Sequence, residues 1–109
     1  MRICLGAHMQ ISMQEVLTAL SDPTRRAALA LLWEGEEHCV CDLMAKLNVS
    51  QSRMSRHMKI LREARLVLDK REAQWVRYRR NSDLAAELAT VVDAVMAVEK
   101  NLKGKLHDD

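Results

Sequence analysis

Cys39 and Cys41 stand one residue apart, across Val40. Thiolates are soft donors that select thiophilic ions over magnesium or calcium. The spacing is demanding. At roughly 100° per residue, positions i and i+2 of a helix point about 200° apart. A helix opening at His38 would separate the two sulfurs, and joint capture of one ion would require its first turn to distort. Cys4, far upstream, is a candidate third donor reaching over from a partner chain's N-terminal arm; otherwise a small thiol or water completes the set. The pair could instead be two incidental buried thiols, or close a reversible disulfide as a redox switch. His38 could add a nitrogen ligand for zinc or stand exposed in the first turn, and Met44 reads as core.

Just downstream are residue types that grip and read nucleic acid. Gln51, Ser52, Arg53, Ser55 and Arg56 follow the tight connection Asn48-Val49-Ser50. Arginine can fork onto guanine and glutamine onto adenine in the major groove. Lys59, Arg77 and Arg79 suit phosphate contacts, which fix register without reading sequence. His57 fits either a DNA contact or packing beneath the helix, and Arg25 and Arg26 could lie near the DNA backbone or in solvent. Between Ser50 and Arg80, ten lysines and arginines face three acids, so this span carries +7 and the rest of the chain −5. A basic middle between acidic ends is the electrostatic footprint of a nucleic-acid binder.

The elements that must position these groups are readable from periodicity. Residues 11–20 form a first helix. Asp22 and Pro23 supply an N-cap and a first-position proline for a second, ending near Gly35 with Ala27, Ala28, Leu31 and Leu32 facing inward. A third helix over 38–47 carries Val40, Leu43, Met44 and Leu47 on one side. A fourth, over 51–64 and capped by Ser50, turns Met54, Met58 and Leu61 inward. Together, 38–64 read as a helix-turn-helix. Two strands, 66–71 and 75–79, make a wing over 66–79. A last helix over 83–102 carries Leu84, Leu88, Val91, Val95, Val98 and Leu102 in a heptad seam suited to a partner helix, and its tail from Lys103 is expected to fray. The expected fold is mainly α: one winged helix-turn-helix domain over 1–109, with a two-stranded β wing, an arm at 1–10, and dimerisation helices at 11–20 and 83–102.

The 109 residues are 49% apolar and 29% charged, which suits one globular domain. No apolar run approaches the roughly 18 residues that a membrane span requires. Three cysteines do not build a disulfide framework, so a reducing cytoplasm is expected. No Ser/His/Asp arrangement, glycine phosphate loop or paired-carboxylate cleft is present, so an enzyme is not expected.

Several stretches together resemble the ArsR/SmtB family of winged-helix metalloregulators. They are Leu20-Ser21-Asp22-Pro23-Thr24-Arg25, Cys39-Val40-Cys41-Asp42-Leu43, the run Ser50 to Lys59, Leu61-Arg62-Glu63-Ala64 and Trp75-Val76-Arg77-Tyr78-Arg79. The resemblance covers about residues 13–100, and the Cys-Val-Cys-Asp-Leu element is its specific part. It implies a cytoplasmic homodimeric repressor that holds double-stranded operator DNA and leaves when As(III) or Sb(III) binds cysteine. Cd(II), Pb(II) or Zn(II) is the alternative effector within the same family. Two departures stand out. A third cysteine expected three residues after the second is Met44 here, and the glycine expected after the DNA-reading helix is Arg65. A second metal site on the last helix would need inner histidines; Asp83, Asp93 and Glu99 are present without them, so that site is expected to be absent.

Overall fold

Two polar caps set the frame. Asp22, extended at φ −103° and ψ 129°, accepts the Arg25 N–H at 3.0 Å and starts α2 (Pro23–Trp33) with Pro23 at its head. Ser50, at φ −66° and ψ 159°, accepts the Arg53 N–H and starts α4 (Gln51–Glu63). In this computed structural model the backbone is described for residues 13–107 and the side chains for 13–102. The arm at 1–10, with Cys4, lies outside the described residues, as do the first two positions of the expected first helix. In chain order the described elements are α1 (Met13–Leu20), α2, β1 (His38–Cys39), α3 (Val40–Leu47), α4, β2 (Val67–Glu72), β3 (Trp75–Arg80) and α5 (Ala86–His107). The fold is mainly helical with a winged helix-turn-helix at its centre.

The core forms where α1, α2, α4 and α5 meet the base of the wing. Leu29, Leu32, Leu43, Met54, Met58, Leu61, Leu66 and Val92 are fully buried, each such side chain contributing about 1.5–3 kcal/mol. The inward face expected for α4 is the face observed. On α2 the buried side is Ala28, Leu29, Leu32 and Trp33, with Leu31 only partly covered.

Three boundaries differ from expectation. His38 and Cys39 are a short strand rather than the first turn of a helix: they pair antiparallel with β3, His38 opposite Tyr78 and Cys39 opposite Arg77. The wing is therefore two strands of a three-stranded sheet, ordered β1-β3-β2. The last helix opens at Ala86 rather than 83, because Asn81 ties the preceding turn, accepting from the Asp83 N–H and donating to the Arg65 carbonyl. It continues to His107, so helix persists where fraying was expected.

Turn conformations explain the odd residues. Asn48 takes the left-handed region at φ 56° and closes α3, and the Val49 N–H reaches back to the Met44 carbonyl. Arg65 also sits there, at φ 63°. The Leu66 N–H bonds the Leu61 carbonyl and the Arg65 N–H bonds the Arg62 carbonyl, the two bonds of a Schellman C-cap. The missing glycine is thus met by a strained arginine, not by a different helix end. In the wing, Glu72 pairs with Trp75 across Ala73-Gln74. Only Ala73 of the two has positive φ, 54°, the sign pattern of a type II′ hairpin.

Candidate functional site

The thiols sit where β1 becomes α3. Cys39 is the N-cap, extended at φ −78° and ψ 166°, and its Sγ accepts the Asp42 N–H at 3.4 Å. Cys41 follows in the first turn, exposed, whereas Cys39 is buried. Because Cys39 lies outside the regular helix, the angular separation of i and i+2 does not hold its sulfur away from Cys41. The neighbouring Cys39 side chain pushes the Cys41 thiol above its ordinary range, assisted by partial desolvation and by the charges of Cys39 and Asp42. The expectation that Cys39 opens a helical turn, which joint capture would have to unwind, is therefore corrected: Cys39 ends a strand and caps the helix that holds Cys41.

Both thiols line one cleft of about 480 Å³ between α4 and the wing. Gln51, Ser55 and Lys59 form its α4 wall, and Arg71, Trp75 and Tyr78 its wing wall. Of the residues expected to meet DNA, Gln51, Ser52, Arg53, Ser55, Arg56 and Lys59 stand exposed on α4. Arg77 and Arg79 are exposed two apart on β3, hence on one face of the wing, with Tyr78 turned into the core. Arg77 also lies 3.8 Å from Glu72.

His57 is placed differently. It is 9% exposed, beneath α4, and the Arg25 guanidinium approaches its Nδ1 at 3.2 Å. Arginine can only donate, so Nδ1 accepts and the neutral ring carries its proton on Nε2. Burial pushes the imidazole below its ordinary range; Asp22 opposes this, while Arg25, Arg53 and Arg56 add to it. His57 is thus a packing group, not a member of the outer face. Arg25 and Arg26 are not solvated either. Arg25 donates to the carbonyls of Thr18 and Ala19, and Arg26 to that of Leu20. Between them they bond three of the last four carbonyls of α1, and Ser21 also bonds that of Thr18.

His38 is buried rather than exposed, with Nδ1 3.6 Å from Asp42 and Nε2 3.4 Å from Glu36. Of the three acids considered for a second metal site, Asp83 is exposed and the other two have partners. Asp93 accepts the Trp33 indole N–H at 2.6 Å, and Glu99 pairs with Arg26 at 3.0 Å. Among the described residues no group of three or more His, Cys, Asp or Glu could hold a metal ion, so the thiol cleft offers two sulfur donors. Arg71 and Trp75 were missed as cleft residues, because their approach to α4 depends on how the hairpin folds back. The two aromatics Trp75 and Tyr78 set among arginines were the available signal.

Comparison with known proteins follows the same lines. The bacterial regulatory protein profile of the arsR family matches residues 22–68. The arsenical resistance operon repressor of Escherichia coli (strain K12) is 38% identical over 86 residues, 79% of this chain and 74% of that protein. The arsenic resistance transcriptional regulator ArsR2 of Pseudomonas putida is 46% identical over 74 residues, 68% of this chain and 64% of that one. Among solved structures, HlyU from Vibrio cholerae superposes with a TM-score of 0.67 at 28% identity, over 79% of this chain and 89% of its own. These relatives are regulators, not enzymes. Among the described residues no helix is long and apolar enough to cross a membrane. Spanning so much of such relatives, with the winged helix-turn-helix and the cysteine pair in place, the chain belongs to the arsR family of bacterial regulatory proteins.

Proposed function

We propose that this protein is an arsenite- or antimonite-responsive transcriptional repressor. In this reading it holds operator DNA as a homodimer and releases it when the ion binds Cys39 and Cys41. The observation that carries the reading is that Cys39 and Cys41 line the same cleft as Gln51, Ser55 and Lys59. The donor set fits a thiophilic ion, and the names of the two relatives point to arsenicals.

The chain's own residues supply the coupling. Cys39 caps α3 and, through β1, pairs with Arg77 of the wing, so a ligand drawing on its sulfur loads both the cap and the sheet. A ligand in the cleft also occupies the approach to the reading face of α4. Release needs a coupling of only about 1–3 kcal/mol, five- to hundredfold in DNA affinity. The Cys41 thiol, raised by its partner, stays protonated through neutral pH. Capture of a divalent cation must expel that proton and strengthens as pH rises. Capture of arsenous acid expels water instead and lacks that dependence, which separates the two effector classes.

Homodimer formation is supported by apolar residues left outside the core. Met13 and Leu17 lie on one side of α1, and Val91, Val98 and Leu102 follow one stripe of α5; all five are 36–57% exposed. Such a stripe at heptad spacing suits a second copy. The chain is thus read as one winged-helix domain whose terminal helices, α1 and α5, make the dimer.

The test is a gel-shift panel with arsenite, antimonite, cadmium, lead, zinc and peroxide. Arsenite should release the operator, and Cys39→Ser/Cys41→Ser should repress regardless of arsenite. An arsenite response retained in that double variant would overturn the assignment, and release by peroxide alone would make the pair a redox switch.

A further inference from the structure

The cleft is much larger than one ion needs, and it is basic. At about 480 Å³ it has room for some fifteen waters at about 30 Å³ each. Cys39 and Cys41 line it, and the position at which the resemblance leads one to expect a third cysteine is Met44, which is not among the lining residues. Lys59 and Arg71 line the remainder and form no ion pair among the described residues, whereas Arg62, also on the wall, is held by Asp69 at 3.2 Å. Trp75, 46% exposed, adds an apolar surface.

We propose that the third thiolate on the bound arsenic comes from a carboxylated low-molecular-weight thiol, which the cleft binds together with the ion. Its carboxylates are held by Lys59 and Arg71, and its carbon chain lies against Trp75. The inference rests on the arsenite reading above. The chemistry balances without an oxidant. The free thiol displaces one hydroxide of arsenous acid, releasing one water and leaving a thiol adduct with two hydroxides. Cys39 and Cys41 then displace one hydroxide each, with the thiol protons leaving in two further waters, and arsenic stays trivalent throughout. The anionic adduct would cancel positive charge on the surface that otherwise faces phosphate, so the small thiol strengthens release as well as capture.

The full chain, free of DNA, would be titrated with arsenite by calorimetry and by arsenic–sulfur absorption. Three arms are compared: no added thiol, the neutral thiol thioglycerol, and the dicarboxylate thiol mercaptosuccinate. Arsenite should bind at least tenfold more tightly with mercaptosuccinate than with thioglycerol. Lys59→Gln/Arg71→Gln should abolish that preference, making the two thiol arms equal within the variant, and mass spectrometry under native conditions should find one small thiol per arsenic. Equal affinity with both thiols would overturn the proposal and leave the effector assignment standing. So would tight binding without added thiol that is lost in Cys4→Ser, because Cys4 would then be the third donor. Absence of arsenite binding in every arm would overturn the effector assignment itself.

Discussion

In the base of the molecule the guanidiniums of Arg25, Arg26 and Arg80 turn inward, whereas on α4 and the wing those of Arg53, Arg56 and Arg79 stand in solvent. Arg25 and Arg26 bond the last carbonyls of α1, and Arg26 also joins α2 to α5 through Glu99. Arg80 lies 3.7 Å over the Trp33 ring and donates to the Trp33 carbonyl, fastening the root of the wing to α2. The outward group makes no comparable commitment. One residue type thus does two jobs: inward arginines hold the reading elements in place, and outward ones remain available to phosphate and base. A count of positive charge mixes the two. Arg80 belongs to the basic stretch by sequence but to the scaffold by contact.

Exchanging the two groups' roles should be impossible, and substitution separates them. Arg53→Ala/Arg56→Ala should weaken operator binding by about 3 kcal/mol, more than a hundredfold, with little change in melting temperature. Binding titrations and thermal melts on the same preparation check this. Arg25→Met should do the opposite. It strands the Ala19 carbonyl, removes one of the three bonds to that of Thr18 and takes away the partner of His57, so unfolding free energy should fall by about 2 kcal/mol in urea titration. The protein that remains folded should keep most of its DNA affinity.

A third substitution bears on the joint between the two regions. Arg65 closes α4 at φ 63°, where a side chain costs about 1 kcal/mol relative to glycine. Arg65→Gly should therefore stabilise the fold by up to about 1 kcal/mol, raising the melting temperature by several degrees. Arg65→Ala, which keeps a Cβ, should not. The smallest effect is on pH. His57 is held below its ordinary range, so the unfolded chain takes up a proton that the folded chain resists. Stability is then complete above about pH 6.5 and declines as pH falls below it. His57→Gln should flatten that decline in melts between pH 7 and 5.

The scaffold was largely legible in the sequence because its signals are local. Asp22-Pro23 and Ser50 fixed two helix starts, and the period of Met54, Met58 and Leu61 fixed the buried side of α4. The junction at the thiols was not, because His38 and Cys39 become a strand only by pairing with Tyr78 and Arg77, some forty residues on. The helix pattern of Val40, Leu43 and Leu47 runs smoothly into that dipeptide and hides the break. On α5 the stripe through Val91 and Val98 was legible as apolar, yet the molecule's own core takes Val92 and Met96. Two adjacent apolar stripes on one helix cannot be ranked until the neighbouring helix is placed. Arg65 was flagged correctly by the absence of glycine, since the backbone demand there is local too.

The thiol pair and the α4 face proposed to read DNA line one cleft. Cys41 reports on it directly, being exposed and on the cleft wall. Its alkylation by iodoacetamide, followed by peptide mass spectrometry with and without operator DNA, is the decisive measurement. Shared occupancy predicts that bound operator slows the reaction at Cys41 by tenfold or more. An unchanged rate in the saturated DNA complex would contradict it.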